Sequence, residues 1–429
     1  MNLQLSKIGQ ALSGPSGIVE LMDDLGAALA GGNSSQMLML GGGNPAHIPQ
    51  MQALWRQRLA EIVADQPLCD RMLSNYDGPA GNPRFRKSVA ECLRQAYGWD
   101  VGPENIAVTM GGQTAFFFLF ALLAGEMPSG NHRRILLPIV PEYIGYADQG
   151  LGPGLFASQH PLIDQLDEHS FKYRIDFDSL EVGDDIGAIC VSRPTNPTGN
   201  VLTDDEVSHL AQLAAEREIP FLVDNAYGEP FPGAVYEPIQ PMWNPGMVMT
   251  FSLSKLGLPG TRTGIVLASE EIVRRIQSMT CIVGLANTNI GQTMVEPLLA
   301  SGEILQLSRE VIRPYYQAKS QTAQALVTEH FGNGFPYLVH RSEGAFFLWL
   351  WFPELPITTK ELYERLKKRG VLIVPGEYFF FGLNTSENWS HQRQCIRMTF
   401  SQAEETVAEG IKIMADELQR IHDSARSTG

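Results

Sequence analysis

A chain of 429 residues is long enough to bury a large core and to divide into more than one domain. Its composition, with 44% hydrophobic and 18% charged residues, is that of a globular protein and excludes a disordered or fibrous class. The net charge of −15 comes without any block of basic residues, which argues against binding to nucleic acid.

The cysteines and the apolar segments indicate a cellular compartment. The 5 cysteines are scattered and form no C-x-x-C pair, which predicts a reducing compartment and neither disulfides nor a metal site. The N-terminal segment lacks the apolar core of a signal peptide, and the longest apolar run, residues 115–124, is about half a membrane span. We therefore expect a soluble cytoplasmic protein with no membrane partner.

Between about residues 105 and 270, short apolar runs alternate with helical stretches. The predicted strands are NIAVTM, RRILLPIV, IGAICVS, IPFLVD, GMVMTFS and RTGIVLAS. Nearly continuous apolar strands between helices predict an α/β fold, with a mostly parallel sheet covered by helices on both faces. In that architecture ligands bind at the carboxyl ends of the strands.

Beyond residue 300 the pattern changes, and it predicts a second, smaller α+β domain. Strands GAFFLWLWF, VLIVPG and CIRMTFS precede a C-terminal amphipathic helix. Capping boxes at residues 203–206 and 401–404 predict where two helices begin. The residues of the last helix that are expected to face the core are Val407, Ile411, Met414, Leu418 and Ile421.

The segment Ser252-Leu253-Ser254-Lys255 has two chemical interpretations. It fits the S-x-x-K pattern of acyl-serine enzymes, in which the serine is the nucleophile. Those enzymes also need S-D-N, which is absent, and K-T-G, whose nearest analogue begins at Arg262, only seven residues after Lys255. We favour the alternative, in which Lys255 itself carries an aldehyde cofactor such as pyridoxal phosphate.

The partners that such a lysine needs occur at other predicted strand ends. Asp224 ends one strand, where a buried carboxylate can pair with the pyridine nitrogen, and Tyr227 can donate to the ring oxygen. Asn196, in a turn after another strand, is a second candidate donor. Taken singly these residues are typical of caps and turns, but their occurrence together with Lys255 favours the cofactor site.

Candidate phosphate ligands lie in three segments. Gly111-Gly112 separates a strand from a helix, and the N–H groups at a helix N-terminus bind anions. Ser252 and Ser254 alternate around Leu253, so both hydroxyls are expected on one face of a strand. Arg262 adds a guanidinium whose geometry suits two phosphate oxygens.

The chain resembles the fold-type I, class I/II aminotransferases over most of its length, because nine segments match that family in the right order. It is most similar to the branch that exchanges an amino group between valine and pyruvate. The matching segments are LGGGNPAHIP (40–49), NYDGPAGNP (75–83), GGQTAFF (111–117), PEYIGYADQGL (141–151), VSRPTNPTGNV (191–201), VDNAYGEPFPG (223–233), SLSKLGLPGTRTG (252–264), EGAFFLWLWF (343–352) and RMTF (397–400).

The resemblance implies a homodimer that holds pyridoxal 5′-phosphate as a Schiff base on Lys255, which also moves the substrate proton. Asp224 would pair with the pyridinium, while Tyr227 and Asn196 would hold the ring oxygen. The other implied ligands are Gly112, Gln113, Ser252, Arg262 and Tyr76 of the partner subunit for the phosphate, Tyr143 for the ring, and Gly43, Asn196 and Arg397 for the substrate. The implied domains are an N-terminal segment, 1–50, packing with the small domain, a large cofactor-binding domain, 51–295, and a small C-terminal domain, 296–429.

Two departures from the family pattern and several alternatives stay open. Relatives often carry a hydroxyl residue in place of Gly112, and in many of them the lysine and the arginine are eight positions apart, whereas Lys255 and Arg262 are seven apart. No motif offers a second arginine for a side-chain carboxylate, which favours an uncharged substrate. The other hypotheses are an aminotransferase of another specificity (aromatic, aminoadipate or broad neutral amino acids), a β-lyase, and a cofactor-binding regulator without turnover.

Overall fold

A computed structural model describes residues 3–30, 37–384 and 389–428 of the chain. Its α-helices are α1 (Lys7–Ser13), α2 (Gly17–Ala30), α3 (Pro49–Ala64), α4 (Gln66–Ser74), α5 (Pro83–Tyr97), α6 (Gly112–Leu123), α7 (Asp204–Glu216), α8 (Glu270–Gly284), α9 (Ile290–Ser301), α10 (Glu303–Leu307), α11 (Arg313–Phe331), α12 (Thr359–Lys368) and α13 (Glu404–Thr428). Its β-strands are β1 (Leu38–Met39), β2 (Ile106–Thr109), β3 (Gly125–Glu126), β4 (His132–Leu137), β5 (Phe156–Ser158), β6 (Leu162–Gln165), β7 (Ser170–Arg174), β8 (Ile186–Ser192), β9 (Phe221–Asp224), β10 (Met247–Ser252), β11 (Gly264–Leu267), β12 (Leu338–His340), β13 (Phe347–Trp351), β14 (Val371–Leu372), β15 (Val374–Pro375) and β16 (Cys395–Thr399).

The larger sheet has the strand order β2-β11-β10-β9-β8-β4-β3, with β5 beside β4. Strands β10, β9, β8, β4 and β5 pair in parallel, whereas β11 runs antiparallel to both β2 and β10. Strands β2, β8, β10 and β11 are buried along their whole length, as their largely apolar sequences require. The predicted mostly parallel α/β sheet is confirmed.

The register of the sheet aligns polar residues at or near the carboxyl ends of three strands. Asp224 of β9 pairs with Ser192 of β8 on one side and with Thr250 of β10 on the other. A functional group on any of these strands therefore points into the same edge of the sheet, where ligands bind in folds of this kind.

The smaller sheet has the order β15-β16-β13-β12-β7-β6 and draws its strands from two parts of the chain. Strand β7 comes from the middle of the sequence and pairs in parallel with β12 of the C-terminal third. Near the N-terminus, β1 pairs in parallel with β14. Segments from near the N-terminus and from the C-terminal third therefore lie in one region. The domain boundaries given above stay a prediction.

The helix starts show where local sequence patterns succeed and fail. The Thr203 hydroxyl accepts from the Glu206 N–H and the Glu206 carboxylate accepts from the Thr203 N–H, which confirms the first capping box. The second is wrong, because α13 begins at Glu404 and the Ser401 hydroxyl instead donates to the Asn44 carbonyl at 2.8 Å. The five residues of α13 predicted to face the core are all buried.

None of the helices within the described ranges combines the length and the apolar character that crossing a bilayer requires.

Candidate active site

A cavity of about 1000 Å³ opens at the carboxyl ends of the central strands. Its wall includes Asp224, Lys255 and Arg397, together with the N-terminus of α6. Almost all the site residues predicted from the sequence line this one cavity, although they come from segments spread over 355 residues, Gly43 to Arg397. Tyr76 is the exception: it does not line the cavity, and 79% of its surface is exposed.

Asp224 lies at the end of β9 and is held by three donors. The Tyr146 hydroxyl donates to one carboxylate oxygen, and the Ala226 N–H (2.9 Å) and the Thr250 hydroxyl (3.5 Å) donate to the other. Burial raises the pKa of Asp224, while the hydrogen bonds from Tyr146 and Ala226 act in the opposite direction. The site therefore offers an oriented carboxylate that a cationic ring nitrogen would stabilise further.

Lys255 lies in a short 3₁₀ turn that directly follows β10. Its amine donates to the Gly43 carbonyl at 2.9 Å and lies over the rings of Tyr227 and Phe346, at 5.1 and 5.4 Å from their centres. Burial, and then the charge of Arg397, lower the pKa of this amine to about 8. A lysine with this lowered pKa is neutral, and therefore nucleophilic, far more often near pH 8 than an unperturbed lysine is.

Arg397 is nearly fully buried on β16, and its guanidinium stacks on Phe347 at 4.3 Å. Its Nη1 donates to the Asn196 amide oxygen at 2.8 Å and its Nη2 to the Gly41 carbonyl at 2.7 Å. Its Nε is buried without a partner among the described residues. Two of the five guanidinium donors are thus used, which leaves capacity for a carboxylate.

The turn that carries Asn196 is fixed by a buried ion pair. Lys172 pairs with Glu343 and donates to the Asn200 side chain at 2.9 Å, while Glu343 accepts from the Val201 N–H at 2.9 Å. Because a buried charge without these partners is costly, the pair holds the turn in one position. Asn196 is thereby kept within reach of Arg397.

The opposite end of the cavity has the character of an anion site. Gly111 has φ +86°, and a side chain there would place its Cβ 2.4 Å from Nη2 of Arg262, so only glycine fits. At Gly112 an added Cβ would meet nothing within 4 Å, so the chain leaves open space in front of α6. Ser252, Ser254 and Arg262 line the same cavity.

Tyr143 and Gln113 flank the space between the two ends. The Tyr143 ring meets the Tyr146 ring edge-on at 5.2 Å, and Gln113 donates to the Gly145 carbonyl at 2.6 Å. The other amide atom of Gln113, Oε1, is buried without a partner among the described residues. An anion cradle, an aromatic wall, a carboxylate and an amine in one cavity fit the phosphate, ring, pyridinium and aldehyde of pyridoxal phosphate.

Two buried residues of the site were not predicted. Tyr146 contacts Asp224 directly, and Glu142 accepts from the Ser192 N–H (2.7 Å), the Ser192 hydroxyl (2.6 Å) and the Tyr143 N–H (3.1 Å). Burial raises the pKa of Glu142 to about 8. The signal in the sequence is the segment PEYIGY, in which two tyrosines three apart fall on one side of a turn.

Comparison with known proteins decides the family. The model of the family "Aminotransferase class I and II" matches residues 35–413. This chain belongs to that family. Its members depend on pyridoxal phosphate, so the chain is a transaminase whose substrates are amino acids and oxo acids.

The aminotransferase is similar to relatives over nearly its whole length. It is 46% identical to valine–pyruvate aminotransferase from Escherichia coli (strain K12), over 97% of this chain and 99% of that protein. It superposes on a crystal structure of a putative amino-acid aminotransferase from Psychrobacter arcticum 273-4 with a TM-score of 0.95 and 42% identity, covering 98% and 100% of the two chains. For valine–pyruvate aminotransferase from Salmonella typhimurium LT2 the TM-score is 0.86, with 45% identity and coverage of 95% and 100%.

Proposed function

We propose that this aminotransferase moves an amino group between L-valine and pyruvate, giving 3-methyl-2-oxobutanoate and L-alanine. The observation that carries the proposal is the identity of 46% to valine–pyruvate aminotransferase over almost the full length of both chains. The cavity supports it, because its basic lining residues in the described chain are His47, Lys255, Arg262 and Arg397. The last three are assigned below, so no arginine is left for a substrate side-chain carboxylate.

The cofactor, when bound, supplies a ring that accepts the electron pair left on the substrate Cα. Lys255 would attach it, Asp224 would pair with its ring nitrogen, and Tyr227 and Asn196 would hold its ring oxygen. Gly112, Gln113, Ser252 and Arg262 would hold its phosphate, and Tyr143 would cover the ring. These roles rest on the shared cavity and on the family pattern.

Binding of the substrate and transfer of its proton are carried out by different residues of the chain. The guanidinium of Arg397 binds the substrate carboxylate, with the Asn196 amide and the Gly43 backbone beside it. Lys255 Nζ, whose pKa is lowered to about 8 by burial and by Arg397, is neutral often enough near pH 8 to take the proton from Cα.

We also propose that the enzyme works as a homodimer. We define the rim as the exposed residues Tyr76, Arg262, Ile282, Val283 and Leu285. The segments that carry Tyr76 and Arg262 are both tied to the start of α9, because Asn289 donates to the Asn75 carbonyl at 2.9 Å and Thr288 to the Thr261 carbonyl at 2.7 Å. An exposed apolar patch beside the anion end of the site is what a second copy would cover.

A cytoplasmic location is part of the same proposal, since all five cysteines are free and Cys92, Cys190 and Cys395 are buried.

The test is a visible absorption spectrum of the cofactor-loaded protein, taken before and after addition of L-valine without an acceptor. We expect the cofactor band to bleach with valine and to return with pyruvate. If the band does not change with valine but bleaches with another amino acid, the named substrate is wrong and the assignment as a transaminase stands. Response to no amino acid at all would contradict the proposed roles of Lys255 and Arg397.

A further inference from the structure

Glu142 is a fully buried acid that contacts three parts of the site. Its Oε1 accepts from the Ser192 N–H at 2.7 Å, and its Oε2 accepts from the Tyr143 N–H at 3.1 Å. Its own N–H donates to the Phe379 carbonyl at 3.0 Å, and the centre of the Phe379 ring lies 5.3 Å from Cζ of Arg397. Glu142 therefore joins the aromatic wall, the end of β8 and the segment beside Arg397.

A second carboxyl group, that of Asp224, lies beside this network. Ser192, which binds Glu142, stands opposite Asp224 in the parallel pairing of β8 and β9. Asp224 lines the cavity itself, whereas Glu142 reaches it only through Ser192 and Tyr143. A ring nitrogen with a single positive charge can neutralise one of these two carboxyl groups but not both.

The charges around Glu142 favour its neutral form. Burial raises the pKa of Glu142 to about 8, its hydrogen bonds act against this, and the charge of Asp224 raises it as well. Tyr146 and Cys190, the other titratable groups whose pKa its charge affects, are also acids. Burial raises the pKa of Asp224 too, but there the charge of Lys255 acts in the opposite direction. Asp224 is therefore the group that carries the negative charge.

A protonated Glu142 can make every contact that the structure shows. Its Oε2 lies 2.6 Å from Ser192 Oγ, a distance across which a carboxylic acid donates its hydrogen, whereas a carboxylate only accepts. The N–H groups of Ser192 and Tyr143 keep their acceptors, because both oxygens of the acid retain lone pairs. The hydroxyl hydrogen of Ser192, a residue of the cavity wall, is then free for another acceptor.

We propose that Glu142 is a positioning residue of the cofactor site and acts as the neutral member of the carboxyl pair that it forms with Asp224. The inference rests on the cofactor roles that are proposed above for Asp224 and Tyr143. The neutral acid holds Tyr143 over the ring and the end of β8 beside Asp224, and it does not compete for the ring nitrogen. Glu142 thus serves through its shape and hydrogen bonds, and Asp224 through its charge.

The first experiment measures how fast the holoenzyme releases its cofactor after dilution, in three variants of one residue. Glu142→Gln keeps the length and the neutral state: its oxygen accepts from the Ser192 N–H and its amide donates to the Ser192 hydroxyl. It should speed release no more than about threefold, because only the bond from the Tyr143 N–H is lost. Glu142→Asp is one methylene shorter and Glu142→Ala lacks the carboxyl group. Each should speed release about tenfold, since buried donors lose their acceptor.

Asp224 is the matched control, because the order of its variants should be reversed, with Glu tolerated better than Asn. If Glu142→Asp behaves like wild type and Glu142→Gln is as impaired as Glu142→Ala, a charge is needed and the neutral role is wrong. Release within twofold of wild type in all three variants overturns the positioning role.

The second experiment observes the proton itself. The infrared difference spectrum between wild-type and Glu142→Gln holoenzyme at pH 7 should contain the C=O band of a protonated carboxylic acid, and the band should weaken as the pH rises past 8. Glu271→Gln, which changes an exposed acid beside Arg275, should remove no such band. A normal visible cofactor band without the acid band refutes the role of Glu142 alone. Absence of the visible band from the cofactor-loaded wild type refutes the proposed function.

Discussion

The strand-end wall of the cavity finds its hydrogen-bond partners within one chain, whereas the rim leaves side chains exposed. We define the strand-end wall as Asn196, Asp224, Lys255 and Arg397, each partnered by hydrogen bonds within the chain. On the rim, Tyr76 is 79% exposed and Ile282 is 84% exposed. Buried polar groups must find partners, whereas exposed apolar groups persist where another surface covers them. In the homodimer proposed above, the chemistry would therefore belong to one subunit and cofactor retention would depend on two.

The largest effect should come from the centre of the strand-end wall. Lys255→Ala removes both the attachment point and the base, so turnover should fall by more than about 10³-fold while the fold remains. The assay is steady-state transamination with a circular dichroism spectrum as the folding control. Full activity in this variant would contradict the assignment of the lysine, and a loss that depends on protein concentration would place the defect in the dimer.

Arg397→Ala should lower kcat/KM by about 10²-fold for every amino acid alike, because truncating a buried, hydrogen-bonded charge typically costs 2–5 kcal/mol. The measurement is kcat/KM of the holoenzyme for alanine, 2-aminobutyrate, valine and leucine as donors. A uniform loss is the result expected for a residue that binds the group common to all donors. A loss restricted to one side-chain class would show that Arg397 does not bind the common carboxylate.

Residues at strand ends were predictable, while their partners were not. The buried runs before Ser192, Asp224 and Ser252 fix these positions from local sequence alone, and parallel pairing then brings them to one edge. Tyr146 lies 78 residues before Asp224 in the chain, and nothing in either segment indicates that the two side chains are in contact.

Ser401 shows that a tertiary hydrogen bond can replace the helix cap that a local sequence pattern predicts. A serine three residues before a glutamate is typical of a helix start, yet the Ser401 hydroxyl donates to the Asn44 carbonyl, next to the cavity. Thr203 has no such competitor and caps α7 as predicted. The departure falls beside the site, where competing contacts are dense.

A third substitution sharpens the role of the ring-facing carboxylate. Asp224→Asn should lower kcat/KM by about 30-fold, and Asp224→Glu by less, because only the charge stabilises a protonated ring nitrogen. Tyr146→Phe should cost about tenfold, the effect of losing one hydrogen bond to a charged group. Equal, mild effects of the Asn and Glu changes, measured by half-reaction kinetics with valine, would argue against the pairing.

The strand-end wall also predicts how stability depends on pH. Because burial and Arg397 lower the pKa of Lys255 from 10.5 to about 8, the cofactor-free fold disfavours the protonated amine. This penalty is fully present below pH 8 and disappears as the pH rises to 10.5. Lys255→Met should therefore raise the free energy of unfolding of cofactor-free protein by about 2 kcal/mol at pH 7, allowing for the partial exposure of the lysine.

Urea unfolding at pH 7 and at pH 10.5 measures this difference, with the surface variant Lys412→Met as the control for loss of an exposed lysine. An advantage of Lys255→Met that is equally large at both pH values would come from packing rather than from the charge.

The smallest effect, and the one that tests the rim, is expected for Tyr76→Phe. Loss of one hydrogen bond to the phosphate should weaken cofactor binding about fivefold. A hybrid dimer of a Tyr76→Phe subunit and a Lys255→Ala subunit distinguishes the two possible geometries. If Tyr76 serves the neighbouring site, the only active site in the hybrid receives an intact Tyr76 and regains the wild-type affinity. If Tyr76 serves its own subunit, the active site keeps the fivefold defect, and the proposed division between strand-end wall and rim is wrong.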